Sequence, residues 1–543
     1  MKDKDYTFRG FLLTLTVVVG VALLALVPPF ELFGMQLSRV NIFDSILGEE
    51  QVVEYSADIE RLEQELATLE PQVEVVEAEE VVTLPSVRKE WIFKAESAHS
   101  RRVPRSSEVL PDTSRRVVAI EDFDTLDFSR FDRFVDKLAT GEGVRVAFLG
   151  DSFVEGDILT SDLRAELQQI FGGRGVGFVA CDIPFATVRR TVHRTSSGWS
   201  AYSVMKPKAA PEELRDKFFV SGYMARGSVG ATTRWEVTDA FETLDSLSRA
   251  RVLLFSEKGS SVEVSLNDSL CYVVELEADN RLREIYVEAP VDELTVKVVG
   301  GEVLCYGVSL EGDKGVMIDN FSVRSNNGHA IFGTGAHINR QMDELLGYDL
   351  VVLQYGLNIM QAERRNYSKY RDQLRDMIAY AERCFPQAAI LVLGVSDRWV
   401  KDTEGEGYKP IGTVDALAEY QRAAADSCGA AFWNTAEAMA ELGGMPMFVE
   451  CGWAANDYTH INFRGGRAVA EALAAAIRMP VYELLAEREE AARLEAERKA
   501  REAWEREQAR LAQIEAQVEA MSAIIDSLDI DTWSRTPQNN EEE

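Results

Sequence analysis

Phe148-Leu149-Gly150-Asp151-Ser152-Phe153-Val154-Glu155-Gly156-Asp157 is the stretch on which the fold is read. The mainly apolar residues at 144–149 predict a strand, and the pattern over 158–171 predicts a helix. Ser152 therefore sits on a strand-to-helix turn, a placement that exposes a nucleophile. Two further pieces lie far along the chain: Gly356-Leu357-Asn358 closes an apolar stretch at 349–354, and Asp457-Tyr458-Thr459-His460 sets a carboxylate near an imidazole.

These residue types fit acyl chemistry. A serine hydroxyl attacks only when a base takes its proton, and the base needs an acceptor on its other ring nitrogen. Ser152, His460 and Asp457 match those roles, since two intervening residues let one loop orient both His460 and Asp457. The oxyanion formed on attack needs prearranged donors. The backbone N–H of Ser152 and the side-chain amide of Asn358 are candidates. Asp151 is read as a brace for the turn, and Asp182, Asp397 and Arg398 as cleft residues by sequence position only. His99, His193, His329 and His337 are read as structural.

Taken in order, Gly150-Asp151-Ser152, Gly356-Leu357-Asn358 and Asp457-Tyr458-Thr459-His460 resemble the first, third and fifth blocks of the SGNH (GDSL-type) hydrolase family. Glu155-Gly156-Asp157, Leu163-Arg164, Leu167-Gln168, Phe171-Gly172-Gly173 and Leu353-Gln354-Tyr355 resemble its peptidoglycan and polysaccharide O-acetylesterase branch. The resemblance spans 144–479, with an unlike segment inside. It implies an α/β fold, a three-layer α/β/α parallel sheet, with catalytic Ser152, His460 and Asp457 and an oxyanion hole of Ser152, Gly328 and Asn358. Gly328 enters through the family pattern at Ser325-Asn326-Asn327-Gly328, with Gly333 and Gly335 as rival matches. Ile359 stands where many members carry Asp.

The β-to-α rhythm itself supports a covered parallel sheet. Strands at 349–354, 389–395 and 430–433 alternate with helices at 367–384, 414–427 and 464–477, which puts a site at the strands' C-terminal ends. Between them, 251–255, 261–266, 271–276, 284–287, 293–299 and 303–310 are short β-rich runs parted by turn residues, as in a β-sandwich. The insertion is read either as a carbohydrate-binding-like wall of the cleft or as purely structural. Trp199, Tyr202, Tyr223 and Trp235 are its candidate sugar-stacking aromatics, or core. The expected division is 1–34 tail and anchor, 35–116 coiled coil and linker, 117–175 core, 176–317 insertion, 318–480 core, and 481–543 C-terminal helix and tail.

The apolar run at 11–27 is long enough to span a bilayer. Val27-Pro28-Pro29 is a poor cleavage site, so an uncleaved anchor is favoured over a signal peptide. Lys2, Lys4 and Arg9 precede it and place the body outside the cytoplasm, in the periplasm or at the surface. Ile59, Leu62, Leu66 and Leu69, and later Leu511, Ile514, Val518, Met521, Ile525 and Leu528, fall at three-and-four spacing and suggest coiled coils that join copies, the later set pairing with another copy or with the first, or else standing as a solitary solvated helix. A net charge of −32 argues against nucleic acid as a partner. Six cysteines show no metal spacing, and neither metal nor cofactor is expected. The expected activity is removal of O-acyl groups, chiefly O-acetyl, from an envelope glycan; transfer of the acyl group to a sugar hydroxyl and a non-catalytic scaffold are the alternatives.

Overall fold

The computed structural model describes residues 102–527 except 186–188, 268–269, 313, 404 and 406, together with the strands Phe30–Leu32, Met35–Leu37 and Arg88–Lys94. The 11–27 run, the heptads at 59–69, His99 and Leu528 lie outside the described residues. Among the described residues no helix is long and apolar enough to cross a membrane.

Five core strands run parallel in the order Val316–Ser322, Val144–Gly150, Leu350–Gln354, Ala389–Leu393 and Ala431–Trp433, and Glu121–Asp122 adds an antiparallel edge. Their continuous apolar runs are explained by burial on both faces. Val146, Phe148, Val352 and Leu391 face one core, closed by the helices Arg130–Thr140, Thr160–Phe171 and the start of Phe463–Ser527. Ala147, Leu149, Val351 and Val392 face the other, closed by Ala336–Leu346 and Ser368–Cys384. This is a three-layer α/β/α arrangement.

The Val316–Ser322 strand falls at the end of the stretch read as insertion, so residues 316 and 317 belong to the core sheet. Asp319 and Asn320 interrupt its apolar pattern, yet Asp319 is fully buried. Its carboxylate accepts four hydrogen bonds: from Arg145 Nε and Nη2, Tyr348 Oη and the backbone N–H of Phe178.

Among the described residues the insertion region supplies eight strands of a nine-stranded, antiparallel-dominated sheet folded around its own core, the ninth being Arg88–Lys94. Its long strand Glu293–Glu311 changes partners along its length. Its first half pairs with Ser260–Leu266 and Tyr223–Val237, its second half with Arg249–Phe255 and Gly175–Ala180. Register shifts near Gly300, Gly301 and Gly307 mark β-bulges where those partners change.

Two flanking segments differ from the sequence reading. Arg88–Lys94, inside the stretch read as linker, pairs in parallel with Arg283–Glu288 at the sheet edge; Trp91-Ile92-Phe93 gives it strand propensity. Residues 106–110 dock on the C-terminal helix, through Ser106 to Glu489 and Arg478 to the carbonyls of Val109 and Leu110. That helix passes through Pro480 without ending and is solvent-exposed along its distal half.

Candidate active site

Ser152 follows the C-terminal end of the Val144–Gly150 strand on a turn that leaves no room for a larger residue at Gly150. A β-carbon there would stand 2.4 Å from Val154 Cγ2 and 2.9 Å from Gln354 Oε1. Buried Asp151 locks the turn: Oδ1 accepts the Phe153 N–H at 2.9 Å, and Oδ2 accepts Asn358 Nδ2 at 3.2 Å. The brace read for Asp151 is therefore visible, and it ties the serine turn to the turn bearing Asn358. The adjacent strands are in register, Gln354 opposite Gly150, which makes the link short.

Past Gly156, Asp157 adopts a left-handed φ of 72°, uncommon outside glycine. Burial penalises its carboxylate, but Arg164 and Arg189 outweigh that and hold it far below the usual range. Thr160 and Thr191 also donate to it, so the strained turn is fixed from several sides.

His460 Nδ1 lies 2.6 Å from Asp457 Oδ2. The other Asp457 oxygen accepts the backbone N–H groups of Thr459 (2.9 Å) and His460 (3.1 Å). Burial alone would raise the Asp457 carboxyl, but these bonds from His460 and Thr459 prevail and hold it below its ordinary value. Tyr458 between them has a φ of 56°. It is held by a stack on Tyr408, ring centres 4.1 Å apart, and its carbonyl accepts the Trp399 N–H.

The loop's surroundings place it at the C-terminal end of the sheet. The helix that follows begins at Phe463 and abuts the nucleophile turn: a β-carbon at Gly466 would stand 2.0 Å from the carbonyl oxygen of Ile158. Arg398, beside Trp399, reaches the carbonyl of Leu357, next to Asn358. Asp397 accepts the Met445 N–H, bracing a neighbouring helix, and Asp182 bonds Ser196 within the insertion. His193, His329 and His337 lie outside these bonds. Trp235 is core, its indole N–H on the Ala180 carbonyl. All six cysteines are free thiols.

The oxyanion donors differ in readiness. The Gly328 N–H donates to Asn326 Oδ1 at 2.9 Å, an Asx turn that engages it within its own loop. Both amide hydrogens of Asn358 are also directed at protein acceptors, Asp151 and the Asn326 carbonyl. Among the described residues the Ser152 N–H has no such bond. Asn326, quoted in the sequence reading only as part of the Gly328 motif and given no role there, is thus the residue that joins the Gly328 and Asn358 turns.

No protein-family model matches the sequence, and no curated protein matches it. Among solved structures, a peptidoglycan O-acetylesterase aligns with 67% of this chain and 99% of its own at 22% identity, TM-score 0.54. The fold is that of the SGNH-type esterases. Family two carbohydrate esterases from Cellvibrio japonicus and Clostridium thermocellum also match, at 11% and 10% identity and TM-scores of 0.16 and 0.21. They cover 44% and 47% of this chain, and 86% and 93% of their own.

Proposed function

We propose that this chain is a serine esterase that removes O-acyl groups, chiefly O-acetyl, from peptidoglycan or another cell-envelope polysaccharide. The observation that carries it is the Asp457–His460 pair, 2.6 Å apart, in a loop braced against the end of the sheet that bears Ser152. In this mechanism Asp457 holds the imidazole with its proton on Nδ1, leaving Nε2 to take the Ser152 proton. The hydroxyl oxygen attacks the ester carbonyl, and the resulting oxyanion is met by the Ser152 N–H and by Asn358 once one of its amide bonds yields. Collapse expels the sugar alkoxide, which takes the proton from His460. Water, deprotonated by the same imidazole, then releases the acid.

The 11–27 run is proposed as a membrane anchor that holds the body outside the cytoplasm, and the exposed C-terminal heptads as a seam between two copies. The esterase reading is tested with p-nitrophenyl acetate and with acetate release from O-acetylated peptidoglycan. The purified chain should hydrolyse both and Ser152→Ala neither; equal rates in the two proteins would refute it.

A further inference from the structure

Where the insertion meets the core, a cleft adjoins the nucleophile turn and holds polar groups that the acyl chemistry does not use. It is lined by Glu155 of the turn, Ser322 of the neighbouring core strand, and Phe185, Arg189, Arg194 and Tyr223. Its volume of ≈ 70 Å³ suits a small side group and not a sugar ring. Glu155 is 8% exposed. Its Oε2 accepts from Arg324 Nε at 2.7 Å, whereas Oε1 is buried with no partner among the described residues. Arg189 uses Nη1 on the Phe178 carbonyl and Nη2 on Asp157, and Arg194 reaches the Ala180 carbonyl with Nη1. The Nε–H groups of both arginines are buried without acceptors.

An orphaned carboxylate oxygen needs a donor, and orphaned N–H groups need an acceptor. One small group carrying both answers them together. A carboxylate ligand fits poorly, because Glu155 Oε1 would repel it and most of the nearby cations are already matched, Arg324 with Glu155, Arg164 and Arg189 with Asp157, leaving Arg194 as the lining cation with no ion pair among the described residues. An amide fits. At the mouth, Phe185 is 37% exposed, meets Tyr223 edge to face at 5.7 Å, and has the Arg324 guanidinium 5.8 Å from its ring centre. Such an aromatic face can stack a pyranose ring.

We propose that this cleft is a subsite for the 2-acetamido group of an N-acetylated amino sugar. The amide N–H donates to Glu155 Oε1, its carbonyl accepts from Arg189 and Arg194, the methyl lies toward Tyr223, and the ring rests on Phe185. The proposal rests on the esterase reading only for where the scissile ester lies; binding stands apart from turnover.

The test is saturation-transfer NMR on the full chain carrying Ser152→Ala, with chitobiose and cellobiose, which differ at the 2-acetamido group. Chitobiose should bind, its acetyl methyl strongly saturated, and cellobiose should bind at least about tenfold more weakly, the worth of a hydrogen bond to a charged partner. Adding Arg194→Met should weaken chitobiose by about the same factor and bring the two sugars together. Equal affinity before that change, or an unaltered preference after it, overturns the proposal. Should Arg194→Met not fold, Arg194→Lys, which keeps the charge but removes the Nε–H, carries the same comparison. Loss of p-nitrophenyl acetate hydrolysis in the unsubstituted chain would strike the esterase reading and leave this result standing.

Discussion

Replacing Asp457 by Asn separates its role in catalysis from its role in the loop. Asp457 receives three bonds: its Oδ2 faces His460 Nδ1, and its Oδ1 accepts the Thr459 and His460 backbone N–H groups. Asn keeps an acceptor for the two backbone donors but presents an NH₂ group to Nδ1. His460 must then carry its proton on Nε2, the nitrogen needed to accept the Ser152 proton. Misplacing the tautomer in this way costs about 10⁴ in kcat in a serine triad, or roughly 5 kcal/mol of transition-state stabilisation. The loop, still bonded, should leave the melting temperature within about 2 °C of the parent, because a change below about 0.5 kcal/mol moves a domain of this size little. The assay is steady-state hydrolysis of p-nitrophenyl acetate, with circular dichroism to follow melting. Asp457→Asn retaining more than a tenth of the parental kcat would refute the assignment, since Asp457 would then only shape the loop.

Other perturbations reach the fold and the assembly. Asp319→Ala leaves the buried Arg145 guanidinium short of a counter-charge and orphans the Tyr348 hydroxyl and Phe178 N–H, so it should destabilise the chain by about 3–5 kcal/mol in urea melts; an unchanged midpoint would contradict this. Asp157 and Glu311 are both held below the usual carboxylate range in the folded chain. Their contribution is in place above the unfolded carboxyl value near ~4 and is lost as pH falls through the lower folded values, so the melting temperature should drop steeply below about pH 4; a flat profile from pH 6 to 3 would refute it. Leu511, Ile514, Val518, Met521 and Ile525 are exposed on one helix at heptad spacing. Light scattering in detergent should give a dimer that Leu511→Asp with Val518→Asp reduces to a monomer, and an unaffected mass would discard the seam.

Which parts of this molecule could be read in the sequence depends on where polarity falls. The Val144–Gly150, Leu350–Gln354 and Ala389–Leu393 strands are buried on both faces and announce themselves as apolar runs. Val316–Ser322 is buried along most of its length but spends Asp319 on Arg145, so its pattern breaks. Val192–Ser203 and Tyr223–Val237 went unread for a different reason: both alternate burial with exposure, and Gly198, Gly227 and Gly230 interrupt them. At the site, Asp457 and His460 are close in sequence and were legible as a pair. The bonds of Asn326 to Gly328 and Asn358 were not, because they depend on how two separate loops close on one another.

The buried ion cluster explains how an insertion can form part of a precise cleft. Arg145, Asp319, Glu311 and Arg251 are all buried, and such clusters seldom add net stability over a well-packed apolar substitute. What this one does add is position. Asp319, on a core strand, accepts the Phe178 N–H of the insertion strand Gly175–Ala180. The carbonyls of that same strand, at Phe178 and Ala180, hold Arg189 and Arg194. A shift of the insertion against the core would break a charge-assisted bond in a dry interior, so the two arginines are set relative to Glu155 and Ser152 before any ligand arrives. Preorganisation of this kind reduces the ordering cost of binding, and it makes the insertion a wall of the cleft as well as a domain beside it.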